Sequence, residues 1–193
     1  MKAIDALTTR VSSARLQEPA PSPEQLDLLF QAAARAADHG MLKPYRFLVV
    51  SGNNDLSALG ALYREAASIK DTSLSEEQLE RMQNLPFRAP MVVVAIASCQ
   101  AHPKIPEIEQ QLTAAAAVQN MINAAYALDI GAYWRTGSIA YHPTVRLGLG
   151  LEDNESIIGY VYLGQACADK RTLKPRDLEV TVSCWPPKIM DSV

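Results

Sequence analysis

The sequence predicts a domain in which helices cover both faces of a β-sheet. The chain has 193 residues, of which 48% are hydrophobic and 20% are charged, and this length suits a single core. The run Met-Val-Val-Val-Ala-Ile-Ala at 91–97 is short, rich in β-branched residues and apolar at every position. It therefore predicts a strand that is buried on both faces. Several segments with helical periodicity supply the covering layers.

Helices are predicted before this strand from caps and apolar stripes. A short apolar helix covers residues 3–7. Ser22, followed by Pro23 and Gln25, marks a second helix start, and Ser75 with Gln78 repeats the capping pattern. The apolar positions of the later helices are Leu26, Leu29, Phe30, Ala33 and Ala37, then Leu56, Leu59, Leu62, Tyr63 and Ala66, then Leu79, Met82 and Leu85.

Two further strands and a long helix complete the predicted core. Residues 47–50 and 157–163 have the composition of strands. Residues 107–129 predict an alanine-rich helix that is apolar around nearly its whole circumference, with Gly131 as its left-handed cap. Such a helix belongs at the centre of a fold or at a dimer interface.

The last part of the chain, residues 165–193, predicts an extended C-terminal arm of the same domain, 1–193. It contains Pro175, Pro186 and Pro187, few helix signals, and a β-prone stretch at 179–182. An arm with so little structure of its own gains stability only by packing on its own domain or on a second subunit.

Composition limits the classes of partner. The net charge is -3 and no run of like charges occurs, which argues against a nucleic-acid or anionic-membrane surface. The cysteines, Cys99, Cys167 and Cys184, have no metal-type or redox-type spacing. No segment reaches about 18 strongly apolar residues. We expect a cytoplasmic protein whose partner is a small molecule.

Two motifs in the first half of the chain carry cationic side chains. Arg10 and Ser12, with Val11 between them, follow the first helix, and a guanidinium fork beside a hydroxyl suits a phosphate. When this motif is considered by itself, a purely structural interpretation is favoured, in which an arginine ends the helix and serines form the turn. Arg35 and His39 would share a face if the second helix extends that far, and would then present two donors to one ligand edge. Alternatively, His39 caps the helix and Arg35 pairs with a carboxylate such as that of Asp38.

A third motif, Trp134-Arg135-Thr136-Gly137, follows the long helix. It forms a plausible ligand floor, although Trp134 can equally belong to the core. Lys43-Pro44-Tyr45 either lines a planar ligand or simply enters the next strand. His102 and His142 each precede a proline and are interpreted as structural or exposed. No nucleophile elbow, GxGxxG or Walker loop is present.

Taken together, these motifs resemble the nitroreductase family, and within it the short YdjA-like branch. The resemblance covers residues 1 to about 164. Arg10 and Ser12 are the remnant of the family's Arg-Arg-Ser, and Val11 stands where a second arginine is usual. The other matching segments are 18–21, 35–39 with Pro44 and Phe47, 86–90, 134–137 and 159–164.

The resemblance implies an α+β fold, with a central, mainly antiparallel sheet flanked by helices, in an intertwined homodimer that binds FMN at the subunit interface. It places Arg10, Val11 and Ser12 at the phosphate and ribityl side, and brings Arg35 and His39 from the other subunit. Trp134, Arg135 and Thr136 would line the flavin, and Lys174 and Arg176 would meet the phosphate. The missing second arginine removes a contact worth about 1.5 to 3 kcal/mol, which Lys174 or Arg176 would have to replace.

The implied activity is ping-pong hydride transfer from NADH or NADPH, through FMN, to a nitroaromatic, quinone-like or other small planar acceptor. No catalytic side chain is expected, because the flavin carries the chemistry. Two alternatives remain at this point: a flavin-binding dimer without turnover, acting as a carrier or regulator, and a flavin-dependent dehydrogenase that runs the reaction in reverse.

Overall fold

An antiparallel sheet of five strands organises the chain in a computed structural model that describes residues 1–167, 173–174, 180–183 and 185. Every strand pair in it is antiparallel, so the mainly antiparallel sheet expected from the resemblance is confirmed. The hydrogen-bonded order is β1-β5-β3-β2, and β4 also pairs with β5. The strands are β1 (Leu16–Gln17), β2 (Tyr45–Ser51), β3 (Met91–Ser98), β4 (Gly131–Arg135) and β5 (Glu155–Ala166).

Six α-helices lie in the described part of the chain. They are α1 (Ala3–Thr9), α2 (Pro23–Ala33), α3 (Gly52–Lys70), α4 (Glu76–Gln83), α5 (Glu107–Ala127) and α6 (Pro143–Gly148). The two capping boxes are confirmed, because Ser22 and Ser75 each accept a hydrogen bond from the amide of the residue three positions on. Within the described ranges, no helix is long and apolar enough to cross a membrane.

The sheet separates two apolar layers, as the sequence predicts for a strand apolar at every position. Val92, Val94 and Ile96 of β3 pack toward the side that holds α3 and α6. The intervening Val93 and Ala95 pack toward α2 and α5. Both faces of β3 are therefore buried, because side chains alternate along a strand.

The second helix ends earlier than its apolar stripe predicts. α2 stops at Ala33, and Ala37 is exposed. The chain then turns: Asp38 is extended, its carboxylate accepts from the amide of Lys43 at 2.7 Å, and Gly40 has φ +68°. Asp favours such local bonds over helix continuation. The prediction that Arg35 and His39 share a face of the second helix is therefore wrong.

The end of the long helix also differs from the prediction. Asp129, not Gly131, adopts the left-handed conformation, with φ +61°. Gly131 opens β4, whose pairing with β5 brings the Gly131 backbone against Gly164. This strand is not among those predicted from the sequence, although Trp134 and Arg135 of the third motif are its last two residues.

The predicted arm begins later than residue 165. β5 continues to Ala166, so the first two residues of the expected arm belong to the sheet. Among the described residues that follow, Val180, Val182 and Trp185 are 80%, 82% and 89% exposed. These three side chains do not pack on the rest of the chain, and the packing of the arm on a second subunit stays a prediction.

An ion pair between half-buried Arg46 and buried Glu155 joins β2 to the start of β5. Nε and Nη2 of Arg46 each donate to Glu155 at 2.6 Å, and Glu155 is 5% exposed. The amide of Glu152 and the guanidinium of Arg146 complete the site, donating to the Glu155 carboxylate and carbonyl. The Arg46 hydrogen bonds are the main cause that lowers the pKa of Glu155 from 4.5 to about 2.

Replacing Glu155 by Gln should lower the free energy of unfolding at pH 7 by about 1.5 to 3 kcal/mol, the typical value of a hydrogen bond to a charged group. Because the folded chain depresses the carboxyl pKa, this contribution is present above about pH 4.5 and is lost as the pH falls toward 2. Urea unfolding across that range checks it. The matched control is Glu77→Gln, whose exposed pair with Arg81 should change stability by less than about 0.5 kcal/mol. Equal stability of Glu155→Gln and the parent chain at pH 7 would contradict the prediction.

Candidate functional site

The N-terminal motif is held against the sheet. The amide of Ser13 donates to the carbonyl of Ala132 in β4 at 3.0 Å. Nη1 of Arg10 points to Oγ of Ser12 at 3.4 Å, and no carboxylate of the described residues pairs with Arg10. A guanidinium with unused donors beside a hydroxyl is the arrangement that fits a phosphate. Val11 lies between them and is half-buried.

The same strand carries the third motif. Trp134 is two residues beyond Ala132, about 7 Å along an extended strand, so β4 brings the first and third motifs close together. Nε1 of Trp134 donates to the carbonyl of Ile158 in a long bond of 3.4 Å. The indole lies over Gly159, where any Cβ would collide with it. Trp134 packs with the layer that contains α2 and α5.

A cavity of about 440 Å³ adjoins this strand. Its size falls in the range of small-molecule and cofactor sites. Polar and aromatic residues of 133–139 form one side, and the side chains of α3, α4 and the turn after α4 form the other. The lining residues are Tyr63, Met82, Leu85, Arg88, Tyr133, Trp134, Arg135, Thr136, Gly137, Ser138, Ile139, Tyr160 and Tyr162.

The guanidinium of Arg135 lies on aromatic rings of the cavity. Its Cζ is 3.9 Å from the centroid of Tyr133 and 5.8 Å from that of Tyr162. Such stacking is a cation–π contact that leaves the in-plane N–H groups free to donate. Thr136 and Gly137, which follow, are exposed, and Gly137 has φ +113° with open space where a Cβ would lie.

Three tyrosines that line the cavity, Tyr63, Tyr160 and Tyr162, are buried. Burial is the main cause that raises the pKa of Tyr63, Tyr160 and Tyr162. The nearby positive charges of Arg135 and Arg88 oppose the rise of the pKa of Tyr162. The hydroxyls of Tyr63 and Tyr160 are close enough to influence each other's pKa, but neither makes a hydrogen bond of normal geometry with a described residue.

The second motif lies far from the first within one chain. His39 approaches Glu109, in the first turn of α5, with 4.0 Å between Nε2 and Oε2. Thr9, next to Arg10, contacts the hydroxyl of Tyr126 near the other end of α5 at 3.2 Å. Glu109 and Tyr126 are separated by about 25 Å along the helix axis, at 1.5 Å per residue. A single chain therefore does not bring Arg10 and His39 to one ligand.

The remaining predicted residues have simpler outcomes. Arg35 is exposed just after α2, and no described carboxylate, including that of Asp38, pairs with it. Lys174 is exposed, and Arg176 lies outside the described residues. Tyr45 enters β2. Both remaining histidines are structural: Nδ1 of His102 accepts from the amides of 104 and 105, and Nδ1 of His142 accepts from that of 144.

Sequence reasoning missed most of the cavity. Tyr160 and Tyr162 lie in a segment predicted as a strand, and their alternate spacing was the available signal that they share one face. Arg88 was noted only as part of a segment before a strand. Its position beside Arg135 follows from how the turn Pro86–Arg88 packs over the sheet, and local sequence carries no signal for that.

Comparison with known proteins identifies the family. The family model described as Nitroreductase family matches residues 7–165, most of the chain. The chain therefore belongs to the nitroreductase family, as its motifs indicate. "Putative NAD(P)H nitroreductase YdjA" of Escherichia coli strain K12 is 35% identical over 164 residues, covering 85% of this chain and 88% of that protein. "Putative NAD(P)H nitroreductase" of Haemophilus influenzae is 37% identical over 165 residues, with the same coverage.

Solved structures show the same fold. A nitroreductase-like family protein from Bacillus cereus superposes with a TM-score of 0.73 at 18% identity, covering 94% of this chain and 96% of that one. A nitroreductase from Desulfovibrio desulfuricans, solved in complex with FMN, superposes with a TM-score of 0.69 at 22% identity, covering 95% and 98%. The nitroreductase-like fold is thus established.

Gly159→Ala should displace Trp134, because the new Cβ would meet the indole and lie 2.8 Å from the carbonyl oxygen of Arg135. We expect a loss of about 1 to 3 kcal/mol, as for other overpacked sites. The substitution is made in a Trp185→Phe background, since Trp185 is 89% exposed and its removal leaves Trp134 as the fluorophore. A red-shifted emission and a lower urea midpoint are expected. An unchanged spectrum and midpoint would show that the indole does not lie over residue 159.

Proposed function

We propose that this protein is an FMN-dependent NAD(P)H oxidoreductase that reduces nitroaromatic, quinone-like or other small planar acceptors. The observation that carries the proposal is that Arg10 and Ser12 lie next to β4. The guanidinium of Arg10 has no carboxylate partner among the described residues. β4 lines a cavity of about 440 Å³. The names of the relatives and the FMN in a structural neighbour support it. The proposal keeps the cytoplasmic location expected from the sequence.

The residues of the chain have distinct roles in this proposal. Arg10 and Ser12 bind the phosphate through charge-assisted hydrogen bonds. The segment 134–136 positions the ring system, with Gly137 allowing a close approach because nothing occupies the space of a Cβ there. When bound, FMN supplies the hydride transfer between NAD(P)H and the acceptor. The protein contributes orientation, positive charge and a slot from which water is partly excluded.

The proposal includes a homodimer. Arg10 and His39 lie near opposite ends of α5, so the predicted joint site of Arg10, Arg35 and His39 requires two chains. Large apolar side chains are also exposed on the neighbouring helices α1, α2 and α5, and their coverage by a second subunit would bury this surface. These side chains are Ile4, Leu7, Leu28, Ile108 and Leu112.

Arg10→Ala should weaken FMN binding by about 10- to 100-fold, since a hydrogen bond to a charged group contributes about 1.5 to 3 kcal/mol. The measurement is the visible flavin absorbance of the purified protein, followed by titration of the flavin-free protein with FMN. Arg81→Ala is the control, because Arg81 lies on the exposed face of α4 and outside the cavity. A parent protein that FMN cannot reconstitute would overturn the proposed function.

Anaerobic addition of NADH or NADPH to the flavin-loaded protein should bleach the flavin band, because the proposed activity begins with hydride transfer from the nicotinamide. A stopped-flow record of absorbance, followed by addition of a planar acceptor, checks both half-reactions. A band that persists with both nucleotides would favour the carrier or dehydrogenase alternatives instead. The matched control is free FMN under the same conditions, which separates protein-dependent reduction from reaction in solution.

Subunit mixing tests the origin of the site. Co-expressed Arg10→Ala and Arg35→Ala chains with different affinity tags should yield hybrid dimers in which one site is intact and the other carries both substitutions. We therefore expect a hybrid dimer to bind one FMN with parental affinity, while each homodimer binds FMN weakly. If Arg10 and Arg35 serve one site from the same chain, both sites of the hybrid are single variants and no parental site returns.

A further inference from the structure

The start of α5 holds the loop that precedes it. Gln110, in this part of the helix, is 1% exposed. Its Oε1 accepts from the amide of Gln100 at 2.9 Å, and its Nε2 donates to the carbonyl of Gln100 at 2.8 Å and to that of Ile105 at 3.2 Å. Because a buried amide that loses such partners is costly, the segment 100–105 is fixed on α5.

The turn that carries His39 packs on this loop. A Cβ at position 40 would lie 2.7 Å from Cδ1 of Ile105, so the contact requires a residue without one. Gly40 also has φ +68°, which glycine adopts without steric cost. On either side of it, the carboxylate of Asp38 accepts from the amide of Lys43 at 2.7 Å. The backbone around His39 is therefore fixed by the turn and by the loop.

Glu109 acts on the His39 side chain itself. The distance from Nε2 of His39 to Oε2 of Glu109 is 4.0 Å, which is an ion-pair distance when the imidazole is protonated and is longer than a hydrogen bond. The two side chains are 61% and 39% exposed, so solvent screens the pair and its contribution is small. Glu109 is the carboxylate that pairs with His39 among the described residues.

A small bias in the orientation of His39 matters for a ligand. An exposed side chain samples several rotamers, and a ligand that requires one of them must bear the loss of conformational entropy. A carboxylate that favours one orientation before the ligand arrives reduces this loss. The backbone of the turn is already fixed, so the remaining freedom of His39 lies in its side chain.

We propose that Glu109 is a positioning residue for FMN binding, which acts by orienting His39. The inference rests on the proposed function, in which each subunit supplies His39 to the flavin site that contains Arg10 of its partner. The start of α5 in one subunit then prepares the flavin site of the other, with Gln110 holding the loop and Glu109 the imidazole.

A double-mutant cycle on FMN affinity tests the inference. Flavin-free Glu109→Ala, His39→Ala and doubly substituted proteins are titrated with FMN beside the parent protein. Glu109→Ala should weaken FMN binding about two- to fivefold, as an exposed ion pair implies, and Glu109→Asp should recover part of this loss. In the His39→Ala background, Glu109→Ala should have no effect, because a residue that acts through another is not additive with it.

The matched control is Glu107→Ala. Glu107 carries the same charge in the same turn of α5, but its carboxylate accepts a hydrogen bond from Gln111. The FMN affinity of this variant should equal that of the parent. Urea midpoints of the flavin-free proteins are measured on the same samples, so that a general loss of stability is recognised.

Several outcomes would overturn the inference. An effect of Glu109→Ala that is equal in both backgrounds would do so, because Glu109 would then act independently of His39. Tighter FMN binding in Glu109→Ala would show that the carboxylate mainly repels the anionic ligand. Unchanged affinity in His39→Ala would remove His39 from the site. In these cases the parent protein binds FMN and the proposed function stands, whereas a parent that FMN cannot reconstitute contradicts both.

Mixed dimers show which site Glu109 serves. Co-expressed Arg10→Ala and Glu109→Ala chains should form a hybrid with one site of parental FMN affinity, because both substitutions fall in the other site. If Glu109 serves the site that contains Arg10 of its own chain, each site of the hybrid carries one substitution. Parental affinity would then be absent, and the inference would be overturned.

Discussion

The pairing of β5 with three other strands is the constraint on which the rest of the structure depends. β5 bonds to β3, to β4 and, at its end, to β1. Its pairing with β4 sets Arg135 opposite Tyr160 and Tyr133 opposite Tyr162, and so builds one wall of the cavity. The hydrogen bond from the amide of Ser13 to the carbonyl of Ala132 then holds the N-terminal motif against β4, next to this wall.

Much of the fold could be predicted because it depends on local patterns. β3 is apolar and buried at its first seven positions, 91–97, and the Ser22 and Ser75 caps start their helices as expected. The end of α2 could not be placed from its apolar stripe, since Ala37 continues the stripe but offers little surface to bury, while Asp38 bonds to the backbone of the turn. A small apolar residue such as Ala37 can therefore continue the apolar pattern of the sequence beyond the end of the helix.

The unpredicted features depend on contacts between residues distant in the chain. β4 is short and of mixed polarity, and its strand geometry comes from pairing with β5. Arg46 and Glu155 are 109 residues apart, and neither position carries a local signal of an ion pair. The same holds for the cavity: Arg135 lies in a motif that the sequence analysis selected, but Arg88 joins it only after α3, α4 and the following turn have packed over the sheet.

The position of α5 has a consequence for assembly. This helix is a rigid rod with the Arg10 segment near one end and His39 near the other. In the proposed dimer, its two ends therefore belong to different ligand sites, and each cofactor is in contact with both subunits. Ligand binding and association are then thermodynamically linked, because a ligand that binds only the assembled protein stabilises the assembly by mass action. Cofactor affinity would depend on protein concentration, and the dimer would dissociate more readily as the cofactor becomes scarce.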